Sequence, residues 1–143
     1  VDKIKHKTSP PIATAGKKLI DQDLKEMIQN NKRGVIYVWS PEMPYSIEGI
    51  KEIQAAASEI GVNLTIVLSP TSNLKKAKKI VQKNNLDSII LRQHFAQELN
   101  LRGVDLHYPS LITYKDKKLS RYARHGYEPK DIFLDYLRGE FSK

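Results

Sequence analysis

The sequence predicts an α/β domain on a mixed sheet, one half parallel and the other antiparallel. Three observations carry this. The runs Val-Ile-Tyr-Val-Trp at residues 35–39 and Asn-Leu-Thr-Ile-Val-Leu at 63–68 are rich in β-branched and aromatic residues and read as strands buried on both faces. Between them Ile47, Ile50, Ile53, Ala57 and Ile60 recur at helical spacing, and two strands joined by such a helix make a right-handed βαβ unit with parallel strands. Further on, two shorter runs flank Lys115-Asp116-Lys117, the pattern of an antiparallel hairpin.

Each element follows from local chemistry. Residues 1–18 hold Lys3, Lys5, Lys7, Lys17 and Lys18 around Ser9-Pro10-Pro11, too polar to pack a core, and are expected as a basic arm or linker ahead of a domain at 19–143. A first helix begins at Asp21 as N-cap, turns Leu24, Met27 and Ile28 to one face, and stops before Gly34. The first strand ends at Ser40-Pro41. The long helix starts at Pro44 and stops at Gly61, which takes the left-handed position. Residues 72–84 form a helix with Leu74, Ala77, Ile80 and Val81 inward and Lys75, Lys76, Lys78, Lys79 and Lys83 toward solvent. Residues 88–91 read as a short strand, and Phe95, Ala96 and Leu99 as the inner side of another helix. Residues 111–114 and 119–123 are the hairpin strands. Pro129 opens the last helix at its first position, with Ile132, Phe133, Tyr136 and Leu137 buried.

Composition narrows the function. In 143 residues, 40% are hydrophobic and 28% charged, enough for one packed core. No apolar run approaches the ~18 residues of a membrane-spanning helix. With 24 Lys+Arg against 16 Asp+Glu the net charge is +8, which points to an anionic partner. There is no cysteine, so disulfides, thiol nucleophiles and thiolate metal sites are excluded.

The segment Trp39-Ser40-Pro41-Glu42-Met43-Pro44-Tyr45-Ser46 lies between the first parallel strand and the long helix. It resembles the Trp-x-x-x-Cys-Pro-x-Cys segment of the thioredoxin-like superfamily, with Met43 and Ser46 where the cysteines would stand. Tyr108-Pro109-Ser110 is similar to that family's cis-proline segment, and Gly126 falls where the family has a glycine after the hairpin. The extra helix and short strand between Leu68 and Pro109 resemble the TlpA-like branch, whose members are typically extracytoplasmic thiol–disulfide proteins. The resemblance spans roughly residues 19–140. It implies a three-layer α/β fold, a central mixed sheet with helices on both faces, and a periplasmic or other extracytoplasmic location.

The departure from the family decides the expected function. Disulfide exchange needs an attacking thiolate and a resolving sulfur. Met43 has no ionisable proton, and Ser46 stays a hydroxyl at neutral pH. Relatives often keep a buried acid two residues before the Trp; here that position is Tyr37. No catalytic residue is therefore expected, and the groove around Trp39, Glu42, Met43, Pro44, Tyr45, Ser46, Tyr108 and Pro109 is expected to engage a protein or an extended peptide by strand addition. For Trp39 core packing is the stronger reading.

Met43 and His107 suggest a Cu(I) site, but two ligands are few, His6, His94 and His125 fall in segments placed elsewhere, and no acidic or histidine cluster has ligand spacing; no metal or cofactor is expected. Ser46 flanked by Glu42 and Glu48, or Ser110 near Asp105 and His107, lacks the Gly-x-Ser-x-Gly pattern of a hydrolase elbow, and a helix-start serine is ordinarily a cap. The basic charge sits in residues 1–20, 71–85 and 115–124, which together exceed the whole net charge, so the remainder is net acidic. Lys75, Lys76, Lys78, Lys79, Lys117, Lys118, Arg121 and Arg124 form a candidate basic surface for nucleic acid or another anionic surface or polymer. Solvated helix and edge-strand faces explain them better than a nucleic-acid interface, and they are expected to lie away from an acid-leaning groove. Asn63-Leu64-Thr65 matches a glycosylation acceptor inside a predicted strand and is set aside.

Overall fold

The computed structural model describes residues 18–142, so the expected arm lies outside the described residues except for Lys18. The elements run β1 (Lys18–Leu19), α1 (Asp21–Asn30), β2 (Arg33–Trp39), α2 (Pro44–Ile60), β3 (Asn63–Leu68), α3 (Leu74–Lys83), β4 (Gln93–His94), α4 (Gln97–Leu101), β5 (Ser110–Lys115), β6 (Lys118–Leu119), β7 (Arg124–His125) and α5 (Lys130–Phe141). One sheet takes the order β1-β4-β3-β2-β5-β6, with β7 also on β5. The pairs β1–β4, β4–β3 and β3–β2 are parallel; β2–β5, β5–β6 and β5–β7 are antiparallel. The mixed sheet with a parallel and an antiparallel half is therefore as the sequence predicts.

Strand β2 explains the layering. Its side chains alternate across the sheet. Val35, Tyr37 and Trp39 join Ile50 and Ile53 of α2 and Phe133 and Leu137 of α5 in one core. Ile36 and Val38 join Leu24 and Ile28 of α1, Leu99 of α4 and Ile112 of β5 in the other. Burial on both faces accounts for the unbroken apolar run, and helices cover both sides. Strand β3 is less uniform: only Val67 and Leu68 are buried, while Asn63 is exposed at its start.

Helix ends differ from expectation in instructive ways. Asp21 is the first helical residue and Ile20 the N-cap. The Asp23 carboxylate accepts the Ile20 N–H at 3.1 Å, whereas Asp21 turns away to accept the Glu98 N–H of α4 at 3.2 Å. Gly34 is no helix stop but part of β2, opposite Tyr114 of β5. The Tyr114 ring lies across it so closely that an added Cβ would sit 2.4 Å from the phenol oxygen, which accepts the Asn63 side-chain N–H at 3.0 Å. Gly61 is left-handed (φ 70°) and closes α2 as read. Pro129 is the N-cap of α5 and not its first residue; the free Lys130 N–H there is taken by Glu52 of α2 at 2.7 Å. Ile132 stays 42% exposed, and Leu134 is buried in its stead.

The segment after α3 is the largest correction. Ser88–Leu91 is a 3-10 turn, and the strand is Gln93–His94. Ile90 and Leu91 are apolar because they fold under the sheet edge into the core of α2 and α5. Their turn is tied by Trp39, whose indole N–H donates to the Ile90 carbonyl at 2.9 Å. Phe95 is exposed, while Ala96 and Leu99 are buried as read. The hairpin turns through Asp116 and Lys117, both left-handed (φ 53° and 67°), the geometry of a tight two-residue hairpin. Its return strand is split into β6 and β7.

Candidate functional site

The corner between β2 and α2 is held by a closed set of hydrogen bonds. Ser46, in the first turn of α2, is fully buried. Its Oγ accepts the Ser40 N–H at 3.0 Å and lies 2.9 Å and 2.7 Å from the Ser40 and Met43 carbonyls, one of which takes its proton. Glu42 N–H donates to Ser40 Oγ at 3.2 Å, and Met43 N–H to the Ser40 carbonyl at 3.1 Å. Behind the corner Ser69 N–H donates to the Trp39 carbonyl at 2.8 Å, and the Gln93 amide donates to the Ser69 and Ser72 carbonyls at 3.3 and 3.2 Å. Ser69, Ser72 and Gln93 carry no motif, so sequence reading missed them.

Tyr37 reaches the same corner from the core. Its hydroxyl donates to the Ser46 carbonyl at 2.8 Å. Burial holds this phenol far above its ordinary range, so it works only as a neutral donor. It fits because Gly49 of α2 has no side chain there.

These facts sort the expected partner-binding residues. Trp39, Ser46 and Pro109 are buried and shape the corner from within. Glu42, Pro44 and Tyr45 are exposed, and Met43 and Tyr108 are half-buried. Tyr45 is 66% exposed and its ring lies 5.9 Å from that of Tyr127, an aromatic neighbour the sequence did not flag. The Tyr108–Pro109 peptide bond is cis. Tyr108 OH donates to Asp105 Oδ1 at 3.0 Å, and burial, with the Asp105 charge second, keeps that phenol protonated.

Both serine candidates are buried and hydrogen-bonded. Ser46 is consumed as described. Ser110 is fully buried; its Oγ contacts the Val104 carbonyl at 2.6 Å, the His107 carbonyl, and His125 Nδ1 at 2.8 Å. Two carbonyls and the His125 ring nitrogen surround the one hydroxyl proton, so Ser110 is tied inside the β5–β7 corner and is closed to solvent. His125 was expected elsewhere, yet the β5–β7 pairing puts it opposite Ser110, with its ring 6.2 Å from that of His107. Among the described residues no group of three or more His, Asp or Glu is gathered for a metal.

His94 of β4 is wholly buried, with Nε2 3.2 Å from Asp105 Oδ1 but not aligned for a hydrogen bond. Burial depresses its pKa below the ordinary 6.5, partly opposed by Asp105. The unfolded chain thus binds a proton there more readily than the folded one, so this contribution is present above pH 6.5 and lost as pH falls below it. We expect the urea midpoint of the wild type to drop between pH 7.5 and pH 5 more steeply than that of His94→Gln; parallel curves would contradict it.

The basic residues are unevenly available. Lys75, Lys76, Lys78 and Lys79 are exposed on α3, but Lys76 pairs with Glu42 at 2.5 Å, so this helix adjoins the corner and does not lie away from it. Arg124 is half-buried, paired with Glu128 at 3.2 Å and lying 4.9 Å over the Tyr136 ring. Arg121 lies 5.7 Å from the Tyr122 ring, and Lys117 and Lys118 are exposed at the hairpin.

No family model matches the sequence, and no curated protein is similar to it at a meaningful level. Solved structures do resemble the fold. DsbF of MTB, in mixed oxidised and reduced forms, superposes with TM-score 0.56 at 13% identity, covering 76% of this chain and 81% of that one. A thiol:disulfide interchange protein of the thioredoxin family from Chlorobium tepidum TLS gives 0.56 at 10%, covering 80% and 83%. The exposed lipoprotein thioredoxin of Streptococcus pneumoniae strain TIGR4 gives 0.53 at 20%, covering 78% and 89%. Taken with the β2–α2 corner and the Tyr108–Pro109 segment, these likenesses show that the chain has the thioredoxin-like α/β fold, without a cysteine anywhere in it.

Proposed function

We propose that this chain is a redox-inactive thioredoxin-like domain that binds a protein or extended peptide beside Met43, Tyr45 and Tyr108. One observation carries the reading: the corner is fully built and hydrogen-bonded around Ser46, yet its two reactive positions hold a thioether and a buried hydroxyl. Construction without reactivity suits recognition. Met43 supplies an adaptable apolar contact, and the Tyr45–Tyr127 pair adds exposed aromatic surface of the kind enriched at interfaces. The location we propose is extracytoplasmic, on the pattern of structural neighbours described as secreted or as an exposed lipoprotein.

Two measurements test it. Insulin-disulfide reduction should stay at the buffer rate, and turnover above it would sink the redox-inactive half. Partner recovered by the wild type should bind Met43→Glu or Tyr108→Ala about tenfold more weakly, since central interface truncations commonly cost that much. Undiminished binding to both variants would mean the groove is idle.

A second reading rests on α3, where Lys75, Lys78, Lys79 and Lys83 are exposed and make no ion pair among the described residues. Docking to an anionic surface through them would weaken steeply with salt and vanish on neutralising Lys75, Lys78 and Lys79.

A further inference from the structure

A cleft remote from the Met43 corner lies between α1, α4 and the β5–β6 hairpin, with a volume of about 530 Å³. That is within the usual size of small-ligand pockets. Its floor is apolar, made by Leu24 and Ile28 of α1 and Leu119 of β6. Polar ties fix its walls. Asp21 accepts the Glu98 N–H at 3.2 Å and fastens α1 to α4. Arg102 pairs with Glu98 at 2.6 Å and donates to the Ser120 carbonyl at 2.8 Å, fastening α4 to the hairpin. Because these ties run between the walls, the opening is preformed.

The rim decides what fits. Both carboxylates facing the cleft are already engaged, Asp21 by the α4 backbone and Glu98 by Arg102. Lys25, Lys117 and Lys118 also line it, are exposed, and make no ion pair among the described residues. An apolar floor under free ammonium groups complements a ligand with an apolar body and one anionic head. We infer that this cleft binds a single-headed amphipathic carboxylate, its chain on Leu24, Ile28 and Leu119 and its head at Lys117 and Lys118. The assignment is independent of the Met43 groove.

Decanoate, below its micelle concentration, is the probe. Titration followed by amide chemical shifts should saturate, with the largest changes at Leu24, Ile28 and Leu119. Lys117→Asn with Lys118→Gln should weaken binding about fivefold, the scale of losing two partly exposed ion pairs. Asparagine is chosen at 117 because it tolerates the left-handed backbone there. Lys51→Glu on α2 changes the net charge by the same two units at an exposed position elsewhere and should leave affinity unchanged. Decanol, with no charge, should bind more weakly than decanoate. Non-saturating shifts, equal loss in the α2 variant, or decanol binding as tightly would each overturn the assignment.

Discussion

Gly49→Ala should destabilise the fold by about 2–3 kcal/mol, although alanine is the better helix former by about 1 kcal/mol. The added Cβ would fall 2.2 Å from the Tyr37 hydroxyl oxygen, within α2 where the backbone has no room to retreat. Tyr37 sits in the core of the central strand, edge-on to Phe133 at 6.4 Å, so its ring cannot swing away either. The overlap is with one atom, which makes the claim separable. Tyr37→Phe alone should cost about 1 kcal/mol for the lost hydrogen bond to the Ser46 carbonyl. In the double variant the methyl would occupy the space the hydroxyl vacates, leaving Tyr37 Cζ at 3.3 Å as the next contact on that ring. The pair should then be more stable than the sum of the single changes by at least ~1 kcal/mol. Urea unfolding of the four proteins gives the cycle, and additive losses would refute the contact.

Much of the fold was legible because its signals are local. A run buried on both faces and a helix at 3.6-residue spacing ending in glycine give β2 and α2 without tertiary knowledge, and those two elements set the corner. What could not be read depends on partners distant in sequence. Ser88–Leu91 has the composition of a strand, and only the demand of the Trp39 indole for the Ile90 carbonyl shows it to be a turn. Gly34 follows a helical pattern and looks like its stop; the reason for glycine there is Tyr114 on a strand eighty residues away. His125 was misplaced for the same cause, since only the split return strand aligns it with Ser110. Of the site, Met43, Tyr45 and Tyr108 were named from a resemblance and are accessible, whereas Trp39, Ser46 and Pro109 proved internal. Lys76 shows the limit of charge counting: its place in a basic run says nothing of its bond to Glu42.

Placing thiols at both positions, Met43→Cys with Ser46→Cys, should raise insulin-disulfide reduction, with dithiothreitol as electron donor, from the rate of dithiothreitol alone to a clearly faster one. Met43 is the N-cap of a 17-residue helix, where unsatisfied N–H groups and the helix dipole favour an anion, so a thiol there would ionise readily. Met43 is half-buried and open to substrate, while position 46 is enclosed, one helical turn on, with its N–H on the Met43 carbonyl at 2.9 Å. The first position would attack, and the second would resolve the mixed disulfide. Without dithiothreitol, Met43→Cys alone should stop at a mixed disulfide with the substrate, releasing the other insulin thiol, and Ser46→Cys alone should react slowly with thiol reagents because it is buried. Ser46→Cys also weakens the acceptor of the Ser40 N–H, for a stability loss of about 1 kcal/mol. Tyr37 limits the rate of the double variant, since a phenol held protonated cannot take the proton from the resolving thiol as a carboxylate would. Tyr37→Asp added to the pair should therefore speed turnover per folded molecule, with the folded fraction read by circular dichroism. If the folded double variant reduced insulin no faster than dithiothreitol alone, the corner would have lost more than its sulfurs, and the reading of Met43 and Ser46 as replaced cysteines would fall with it.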